Sequence, residues 1–275
     1  MILHFYWELF GGKLFLALAE ELVHEGELVN TGHWQALEDV PHTNSYELQN
    51  VIIGYPIPGE LATLREQLQP NLPWAEHEFE DRTAGEPYNP HPHVHEWPWF
   101  DADWRASEGG QYSHTYAERF WPKYAGNPMV WPDTETWGLR FRLGDLKDVV
   151  EMLIKYPTTR QAYLPVWFPE DTGAVHGERV PCTLGYHFMA RDGKLNVNYF
   201  IRSCDFLRYL RDDMYLACRL GLWMADVLRN NGKVEESMLN LEPGTLTMFI
   251  SSLHVFQGDM PRMRRLIGAD QIGER

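Results

Sequence analysis

The chain has 275 residues, of which 44% are hydrophobic, and a formal net charge of −15. This length allows a complete hydrophobic core, and we expect a single catalytic domain over residues 1–275. Acidic residues outnumber basic residues by 39 to 24, which argues against polymeric nucleic acid as a partner because proteins that bind it carry basic surfaces.

Three further features bear on where the protein works. No apolar run approaches the roughly 18 residues that span a bilayer, and the N-terminus lacks the pattern of a signal peptide. The three cysteines, Cys182, Cys204 and Cys218, cannot all pair, and their spacing fits no zinc signature. We therefore expect no membrane partner, a reducing cytoplasmic location, and core positions for Cys204 and Cys218.

The first half of the chain predicts a helix, a strand and a long region of loops. Apolar residues at helical spacing predict a helix over 12–25. Residues 45–57 read as a strand that is ended by prolines and a glycine. Residues 69–124 are dense in Pro, Trp, His and Tyr without a clean period, so we expect ordered loops with short helical pieces.

The second half of the chain predicts helices among several strands. Asp192-Gly193 separates two alternating apolar runs and predicts a hairpin over 184–201. Asp145 is a suitable N-cap for the helix that follows it. The other predicted elements are a helix over 145–156, a strand over 163–168, a helix over 213–228 and a strand over 245–256. This order of elements indicates the α+β class.

Short motifs in the second half carry the chemistry. Cys182 follows a proline and precedes the predicted hairpin, which ends in Arg202-Ser203-Cys204-Asp205. Asp213 lies eight residues past this motif, and His254 lies in the final strand within Ser-Ser-Leu-His-Val-Phe. In this order the motifs resemble the thymidylate synthase superfamily, and most closely its branch of (deoxy)cytidylate 5-hydroxymethylases.

The resemblance implies a thymidylate synthase-like fold and a set of roles. The fold is a mixed sheet packed with helices, with one sheet face at a homodimer interface. Cys182 is then the nucleophile, and Asp205 is expected at the cofactor. The residues expected to bind the substrate are Arg202, Ser203, Asp213, His254 and Arg160. Arg160 ends a Pro-Thr-Thr-Arg turn that resembles the family turn reaching the phosphate in the partner subunit.

Two further catalytic residues follow from looser matches upstream. Residues 110–121 resemble the family's Gly-rich loop that ends in a tyrosine, which points to Tyr116. Glu76, three residues before Phe79, resembles the family's catalytic glutamate, and Glu78 and Glu80 compete with it for this role.

These residue types suit one-carbon transfer to a pyrimidine. C5 of the ring is a poor nucleophile until a thiolate adds to C6, after which C5 can attack 5,10-methylenetetrahydrofolate, the implied co-substrate. Arg202 can lower the pKa of the thiol and pair with the substrate phosphate, to which Ser203 can also donate. A glutamate such as Glu76 can move protons at the base. No metal is implied.

Asp213 carries the prediction of base specificity. A carboxylate accepts from the exocyclic amino group of cytosine and stabilises its protonated N3, whereas the amide of asparagine complements uracil. In the superfamily, Asp at this position goes with cytosine and Asn with uracil. The simpler alternative is that Asp212 or Asp213 only caps the following helix.

Three departures from the family pattern bear on the product and the sugar. Arg208-Tyr209 replaces the usual apolar residue and glycine near the folate, and Phe256 replaces a tyrosine that commonly holds the sugar. The chain ends about twenty residues past His254, and a shorter tail is expected to admit water and to favour a hydroxymethyl over a methyl product. The expected function is therefore folate-dependent C5 hydroxymethylation of dCMP or CMP. The alternatives are a dCMP methyltransferase, a dUMP thymidylate synthase, and a non-catalytic nucleotide-binding protein of the same fold.

Two aromatic-rich patterns remain. His91, His93 and His95 alternate, and in an extended segment they share one face, as imidazoles that bind metals do. Glu96 is the only acidic partner at a telling spacing, so we favour a solvated loop over a metal site. The tryptophans Trp97, Trp99 and Trp104 can stack on the pterin or the base, or can pack in the core or at a dimer interface.

Overall fold

The computed structural model describes residues 3–7, 11–30, 44–100, 112–123, 144–169, 171–172 and 180–268. Over these residues a seven-stranded mixed sheet forms the centre of the molecule. Its strand order is β1-β3-β7-β6-β5-β4, with β2 beside β3. The strands are β1 His4–Trp7, β2 Glu27–Val29, β3 Ser45–Pro56, β4 Tyr163–Pro165, β5 Thr183–Arg191, β6 Lys194–Asp205 and β7 Glu242–Phe256.

Strand directions follow from the connections. The β5–β6 hairpin turns at Asp192 and Gly193, which have φ angles of 51° and 71° and so supply the left-handed conformations that a tight hairpin needs. Strand β6 lies parallel to β7, with Ser203 opposite Ser252 and Asp205 opposite His254. Strands β1 and β3 are also parallel, and the remaining pairs are antiparallel.

Helices cover one face of the sheet. They are α1 Gly12–Glu25, α2 Leu61–Leu68, α3 Trp74–Thr83, α4 Tyr116–Phe120, α5 Leu146–Lys155, α6 Leu210–Arg229 and α7 Met260–Leu266. Alternate residues of β6 such as Val197, Tyr199 and Ile201 are buried, because this face packs under helix α6. No helix in the described part of the chain combines the length and the apolarity needed to cross a lipid bilayer.

The α+β class and the mixed sheet packed against helices are confirmed, as are the hairpin and the helices at 12–25 and 145–156. The interpretation of residues 69–124 as loops with short helical pieces is wrong in one part, since α3 is a ten-residue helix. Its buried face carries Glu78, Asp81 and Arg82 beside Trp74. The sequence therefore lacks the apolar stripe that would predict this helix.

Two boundaries also differ from the prediction. Strand β4 ends at Pro165 and not at residue 168, because the amides of Val166 and Trp167 both donate to the carbonyl of Leu184 and so leave the ladder. Helix α6 begins at Leu210 and not at residue 213. Asp213 therefore lies within the first turn of the helix and is not its N-cap.

Candidate active site

A cavity of about 420 Å³ opens where α3, α6, the segment before α4 and the carboxyl ends of β6 and β7 meet. This volume is within the range of ligand sites, about 300–1,000 Å³. Six of the sequence-predicted site residues line it, and they are Tyr116, Cys182, Ser203, Asp205, Asp213 and His254. These residues come from four separate parts of the sequence, so only the fold brings them together.

Strand geometry aims the central residues at this cavity. Cys182 directly precedes β5, where a register shift against β6 falls between Thr183 and Gly185. Such irregularities bend a strand and redirect its side chains. Ser203 and Asp205 project from β6 two residues apart, which puts them on one face of the strand beside His254 of β7. His254 is buried, and this burial lowers its pKa, so the imidazole is neutral at neutral pH.

The Cys182 thiol is half-buried and lies beside a guanidinium group. Arg202 Nη2 is 4.0 Å from its Sγ atom. Arg202 is itself fixed, because Nε donates to the carbonyl of Pro181 at 2.9 Å and Nη2 to that of Val180 at 3.1 Å. A fixed positive charge at this distance favours the thiolate. Arg202 thus lies next to the thiol but is not itself among the residues that line the cavity.

The carboxyl group of Asp213 has an unusual environment. Desolvation raises its pKa to about 7, although the charge of Arg82 works in the opposite direction. The hydroxyl of Tyr199 and the thiol of Cys204 each donate to it over 3.5 Å. Cys204 is buried, as the sequence predicted for a core residue, and it also contacts this site residue. Near neutral pH the Asp213 carboxyl can therefore give or take a proton.

The structure does not bring Glu76 to the cavity. Its carboxylate accepts from the hydroxyl of Tyr215 and pairs with Arg65 at 3.1 Å and Arg219 at 3.4 Å. Glu78 lines the cavity instead. Two residues along an α-helix turn a side chain by about 200°, so Glu76 and Glu78 point to opposite sides of α3. Of the glutamates that the sequence left open, Glu78 is the one that lines the same cavity as Cys182.

Glu78 belongs to a buried network that the sequence analysis did not identify. Its Oε1 accepts from Arg82 Nε at 2.7 Å, and its Oε2 lies 3.7 Å from Nδ1 of His91. The guanidinium of Arg82 lies 4.1 Å from the ring centre of Tyr116. The spacing of Glu78 and Arg82 by four residues is a helical ion-pair signal that was available in the sequence.

A chain of hydroxyl groups connects Tyr116 to Asp213. Thr183 Oγ1 lies 3.3 Å from the hydroxyl of Tyr116 and 2.8 Å from that of Tyr199, which donates to Asp213. Burial raises the pKa of both tyrosines, so both keep their protons. The network therefore orients polar hydrogens toward the cavity next to Cys182.

Arg208 and Tyr209 are built into the wall of the cavity. Arg208 pairs with Asp205 at 2.8 Å and with Asp259 at 2.7 Å, and its guanidinium lies 5.0 Å from the ring centres of Trp99 and Phe256. The other oxygen of Asp205 accepts from the amides of residues 207 and 208. Asp205 is thus occupied in holding the turn before α6.

The tryptophans divide between the alternatives that the sequence left open. Trp97 is buried and stacks on Tyr209 with ring centres 4.8 Å apart, and both side chains line the cavity. Trp99 lines the cavity beside Arg208. Trp104 lies outside the described residues, as do the first two residues of the 110–121 motif.

Arg160, another sequence-predicted site residue, does not line the cavity. Arg160 is exposed after α5, and its carbonyl accepts from Nε2 of His187 at 3.1 Å.

The expectation that His91, His93 and His95 share one face is wrong. A 3-10 turn at Val94–Glu96 breaks the extended backbone, so His91 is buried at the cavity, His93 is half-buried against Asp81, and His95 is exposed.

Two buried polar atoms on the cavity lining have no hydrogen-bond partner among the described residues. They are His91 Nδ1 and Trp74 Nε1. Burial lowers the pKa of His91, so its ring is neutral. Because a buried polar group without a partner is costly, this cavity is suited to a ligand with polar atoms.

This arrangement of strand ends brings a thiol and a buried, titratable carboxyl into one cavity of an α+β fold. A sequence model of the thymidylate synthase family matches residues 90–271 of the 275. The chain therefore belongs to the thymidylate synthase family.

Curated relatives are similar to this chain over about half of its length. Proteins described as "Putative thymidylate synthase" from Methanosarcina barkeri and Methanococcoides burtonii are 27% and 28% identical over 137 residues, which is 48% of this chain and 57% of theirs. One from Methanopyrus kandleri is 29% identical over 131 residues, 46% of this chain and 56% of its own. The chain thus spans little more than half the length of the relatives it matches.

Proposed function

We propose that this protein is an enzyme, a one-carbon transferase that hydroxymethylates C5 of a cytidine monophosphate, either dCMP or CMP, through a covalent adduct with Cys182. The observation that carries the proposal is the pairing, in one cavity, of a thiol beside a fixed guanidinium with a carboxyl whose pKa is raised to about 7. The first group suits attack on C6, and the second suits the amino-bearing face of cytosine.

Cys182 begins the proposed reaction. Its thiolate forms a bond to C6, and the electron pair of the C5–C6 double bond moves so that C5 becomes nucleophilic. Arg202 supports this step because its charge lies 4.0 Å from the sulfur. After the one-carbon unit is attached, loss of the C5 proton and departure of tetrahydrofolate leave an exocyclic methylene group on C5. Water then adds to this methylene to give the hydroxymethyl group, and release of the thiolate restores the C5–C6 double bond.

Asp213 acts on the opposite side of the base. In its neutral form the carboxyl donates to N3 of cytosine and accepts from the exocyclic amino group. As the sulfur attacks C6, the proton passes to N3, so that the adduct is neutral, and the carboxylate that remains accepts from the new N3–H and from the exocyclic amino group. A pKa of about 7 suits this transfer, because general acid catalysis works best when the pKa is near the working pH.

Glu78 is the proposed proton carrier at the other edge of the base. It lines the cavity beside His91, and Arg82 holds it at 2.7 Å. Tyr116 is placed to act with it, since Arg82 stacks on its ring. In this proposal Glu76 has a structural role in joining α2, α3 and α6 through its arginine partners.

The substrate phosphate and sugar need polar partners at the mouth of the cavity. Ser203 lines the cavity, and Arg202 precedes it on β6 with its guanidinium beside Cys182. We assign the phosphate to this pair and to Arg160 of a second subunit, in a homodimer. We assign His254, which lines the same cavity, to the sugar.

The aromatic part of the cavity fits the planar pterin of 5,10-methylenetetrahydrofolate. Trp74 lines it with a buried indole nitrogen that lacks a partner among the described residues, and Trp97 and Trp99 offer ring faces. When bound, this co-substrate supplies the one-carbon unit at the oxidation level of formaldehyde. Asp205 holds Arg208 against the same wall and so fixes its shape.

A second candidate is methyl transfer to a uridylate or to dCMP. It is favoured by the description of the relatives as "Putative thymidylate synthase". The hydroxymethyl product is favoured by the resemblance of Cys182-Thr183 and of the Ser-Leu-His-Val motif to the hydroxymethylase branch. Both candidates use the same nucleophile, so the product and the base distinguish them.

The test is incubation of the full chain with methylenetetrahydrofolate and, separately, CMP, dCMP, UMP and dUMP, read by mass spectrometry. We expect a hydroxymethyl adduct on a cytidylate. A methyl product would support the second candidate. Cys182→Ala is the control, since it should abolish exchange of the C5 hydrogen while nucleotide binding remains. Tight nucleotide binding without any turnover would contradict both candidates and indicate a non-catalytic binding protein.

A further inference from the structure

A cluster of side chains that can bind a metal ion lies outside the cavity lining, between α3 and the 3-10 turn at Val94–Glu96. His77 of α3 meets His93 and Glu96 there, and one ligand atom from each lies within 4.8 Å of the other two. We propose that His77, His93 and Glu96 bind a divalent transition-metal ion. This inference does not depend on the proposed function.

The side chains of the cluster are already close to the separations that the ligands of one metal ion have. His77 Nδ1 lies 2.6 Å from Glu96 Oε2, and the imidazole rings of His77 and His93 have centres 4.5 Å apart. Donor atoms of a bound ion lie about 3–4 Å apart when each is 2.0–2.2 Å from the metal. Rotations of these half-exposed side chains are therefore sufficient to surround an ion.

Asp81 supplies the outer support that histidine ligands usually have. Both of its carboxylate oxygens lie close to His93 Nδ1, at 3.0 and 3.1 Å, and Oδ2 accepts from the His93 amide at 3.2 Å. With Nδ1 held in this way, Nε2 of His93 is the nitrogen that remains for a metal ion in our proposal. A carboxylate behind a histidine ligand fixes its tautomer and raises its basicity.

The chemistry of the donors indicates the kind of ion. Two imidazoles and one carboxylate suit Zn²⁺, Co²⁺ and Ni²⁺, and are too nitrogen-rich for Ca²⁺ or Mg²⁺. Glu80 and Asp81 lie on the same helix, and the chain as a whole has a net charge of −15, so the local field favours a cation. All three side chains are only partly buried, so water can supply the remaining ligands.

A neighbouring group on α3 is a poorer candidate. Glu78, Asp81 and His91 are also close enough to share an ion. However, Arg82 Nε lies 2.7 Å from Glu78, and its positive charge opposes a cation there. Asp81 is directed to His93, as described above. The proposed site is therefore the half-exposed one.

An ion at this site would connect two walls of the catalytic cavity. Helix α3 carries Glu78 and Trp74 into the cavity, and the turn that carries Glu96 leads directly to Trp97, whose ring centre lies 6.1 Å from that of Trp74. The ion would join the helix to this aromatic segment through side chains alone. Its expected role is thus structural, holding the cavity wall in place.

The experiment uses the full chain, first treated with a chelator and then dialysed free of it. Titration with Zn²⁺ followed by calorimetry should show one site per chain with micromolar or tighter affinity, and Co²⁺ should give the visible absorption of a nitrogen- and oxygen-ligated ion. Saturating Zn²⁺ should raise the Tm by a few degrees. Both His77→Ala and His93→Ala should weaken binding at least tenfold.

His95→Ala is the matched control, because this exposed histidine lies in the same turn and outside the cluster. It should bind Zn²⁺ as the wild type does. If an alanine variant fails to fold, Glu96→Gln keeps the side-chain shape and should also weaken binding. The proposal is overturned if the folded wild type binds no Zn²⁺, or if the variants at positions 77, 93 and 96 bind it as tightly as His95→Ala does.

Discussion

At the scale of the single residue, the carboxyl group of Asp213 is buried at a position where its charged form is disfavoured. Burial raises the pKa of its carboxyl from 3.8 to about 7. Between these two pH values the folded protein binds more protons than the unfolded chain does. The contribution of this carboxyl to stability is therefore fully present below pH 4 and is lost as the pH rises to 7.

Replacing this acid should reverse that loss. Asp213→Asn is expected to be more stable than the wild type above pH 7, by on the order of 2–4 kcal/mol, with no such gain near pH 4. Urea denaturation across this pH range measures the difference. Asp226→Asn, at an exposed position of the same helix, is the control and should show no pH-dependent gain. A gain for Asp213→Asn that is equal at all pH values would contradict the burial of the charge.

The same variant tests the reading of the base. Asp213→Asn should shift preference from cytidylate toward uridylate by roughly 10- to 100-fold, since one unpaired buried polar group costs about 1–3 kcal/mol. Matched turnover assays with the two nucleotides measure this ratio. An unchanged preference would reject the assigned role.

Glu78 and Glu76 offer a comparison within one helix. Glu78→Gln should lower kcat by about 100-fold or more, because a positioned general acid or base contributes factors of this size. Glu76→Gln should leave most of kcat intact and lower the Tm, because it weakens contacts to Arg65 and Arg219. The opposite pattern would return the catalytic role to Glu76.

At the scale of the element, the close approach of α6 to the sheet depends on a glycine. A Cβ atom at Gly221 would lie 2.9 Å from Val197 and 3.2 Å from Ile57. Gly221→Ala is therefore expected to destabilise the protein by about 1–2 kcal/mol, because overpacking outweighs the helix propensity of alanine. Gly12→Ala has open space at its Cβ position and should cause no loss. Equal stability of the two variants in denaturant would contradict this packing.

The elements differ in how far the sequence could predict them. Strands β5 and β6 and their Asp192-Gly193 turn follow from alternation and from backbone chemistry, both of which are local. Helix α3 could not be predicted in the same way, because charged residues with partners elsewhere in the chain occupy its buried face. Its partners, among them His91 and Tyr116, lie at least nine residues away.

The residues of the candidate active site also differ in how far the sequence could predict them. The order of Cys182, Ser203, Asp213 and His254 along the chain indicated which residues would meet, and they do line one cavity. The choice between Glu76 and Glu78 required the orientation of α3, which no spacing gives. The cluster of His77 with His93 also depends on a contact between α3 and a later turn.

At the scale of the whole molecule, the sheet has a second face that the helices leave partly uncovered. Phe200 and Phe249 stack there with ring centres 4.9 Å apart, and Tyr163 beside them is 40% exposed. Aromatic residues are enriched at protein interfaces. This face is our proposed dimer interface, and the position of Arg160 after α5 agrees with a role outside its own cavity.

Mixed dimers test this arrangement. Cys182→Ala and Arg160→Ala are each expected to be inactive or nearly so. If Arg160 completes the partner's site, subunits that are mixed and allowed to exchange should recover about a quarter of wild-type activity, because half of the dimers then contain one intact site. No recovery, with exchange verified by mass-tagged subunits, would mean that Arg160 does not act across an interface.

Arg208 connects the segment before helix α7 to the end of strand β6. One of its nitrogens is held by Asp205 at the end of β6 and the other by Asp259, just before α7, while its flat group rests between Trp99 and Phe256. A displacement of α7 must therefore pull on the cavity wall, and a molecule pressing on that wall must push back on α7. The side chain of Arg208 is thus a direct mechanical link between α7 and the ligand chamber.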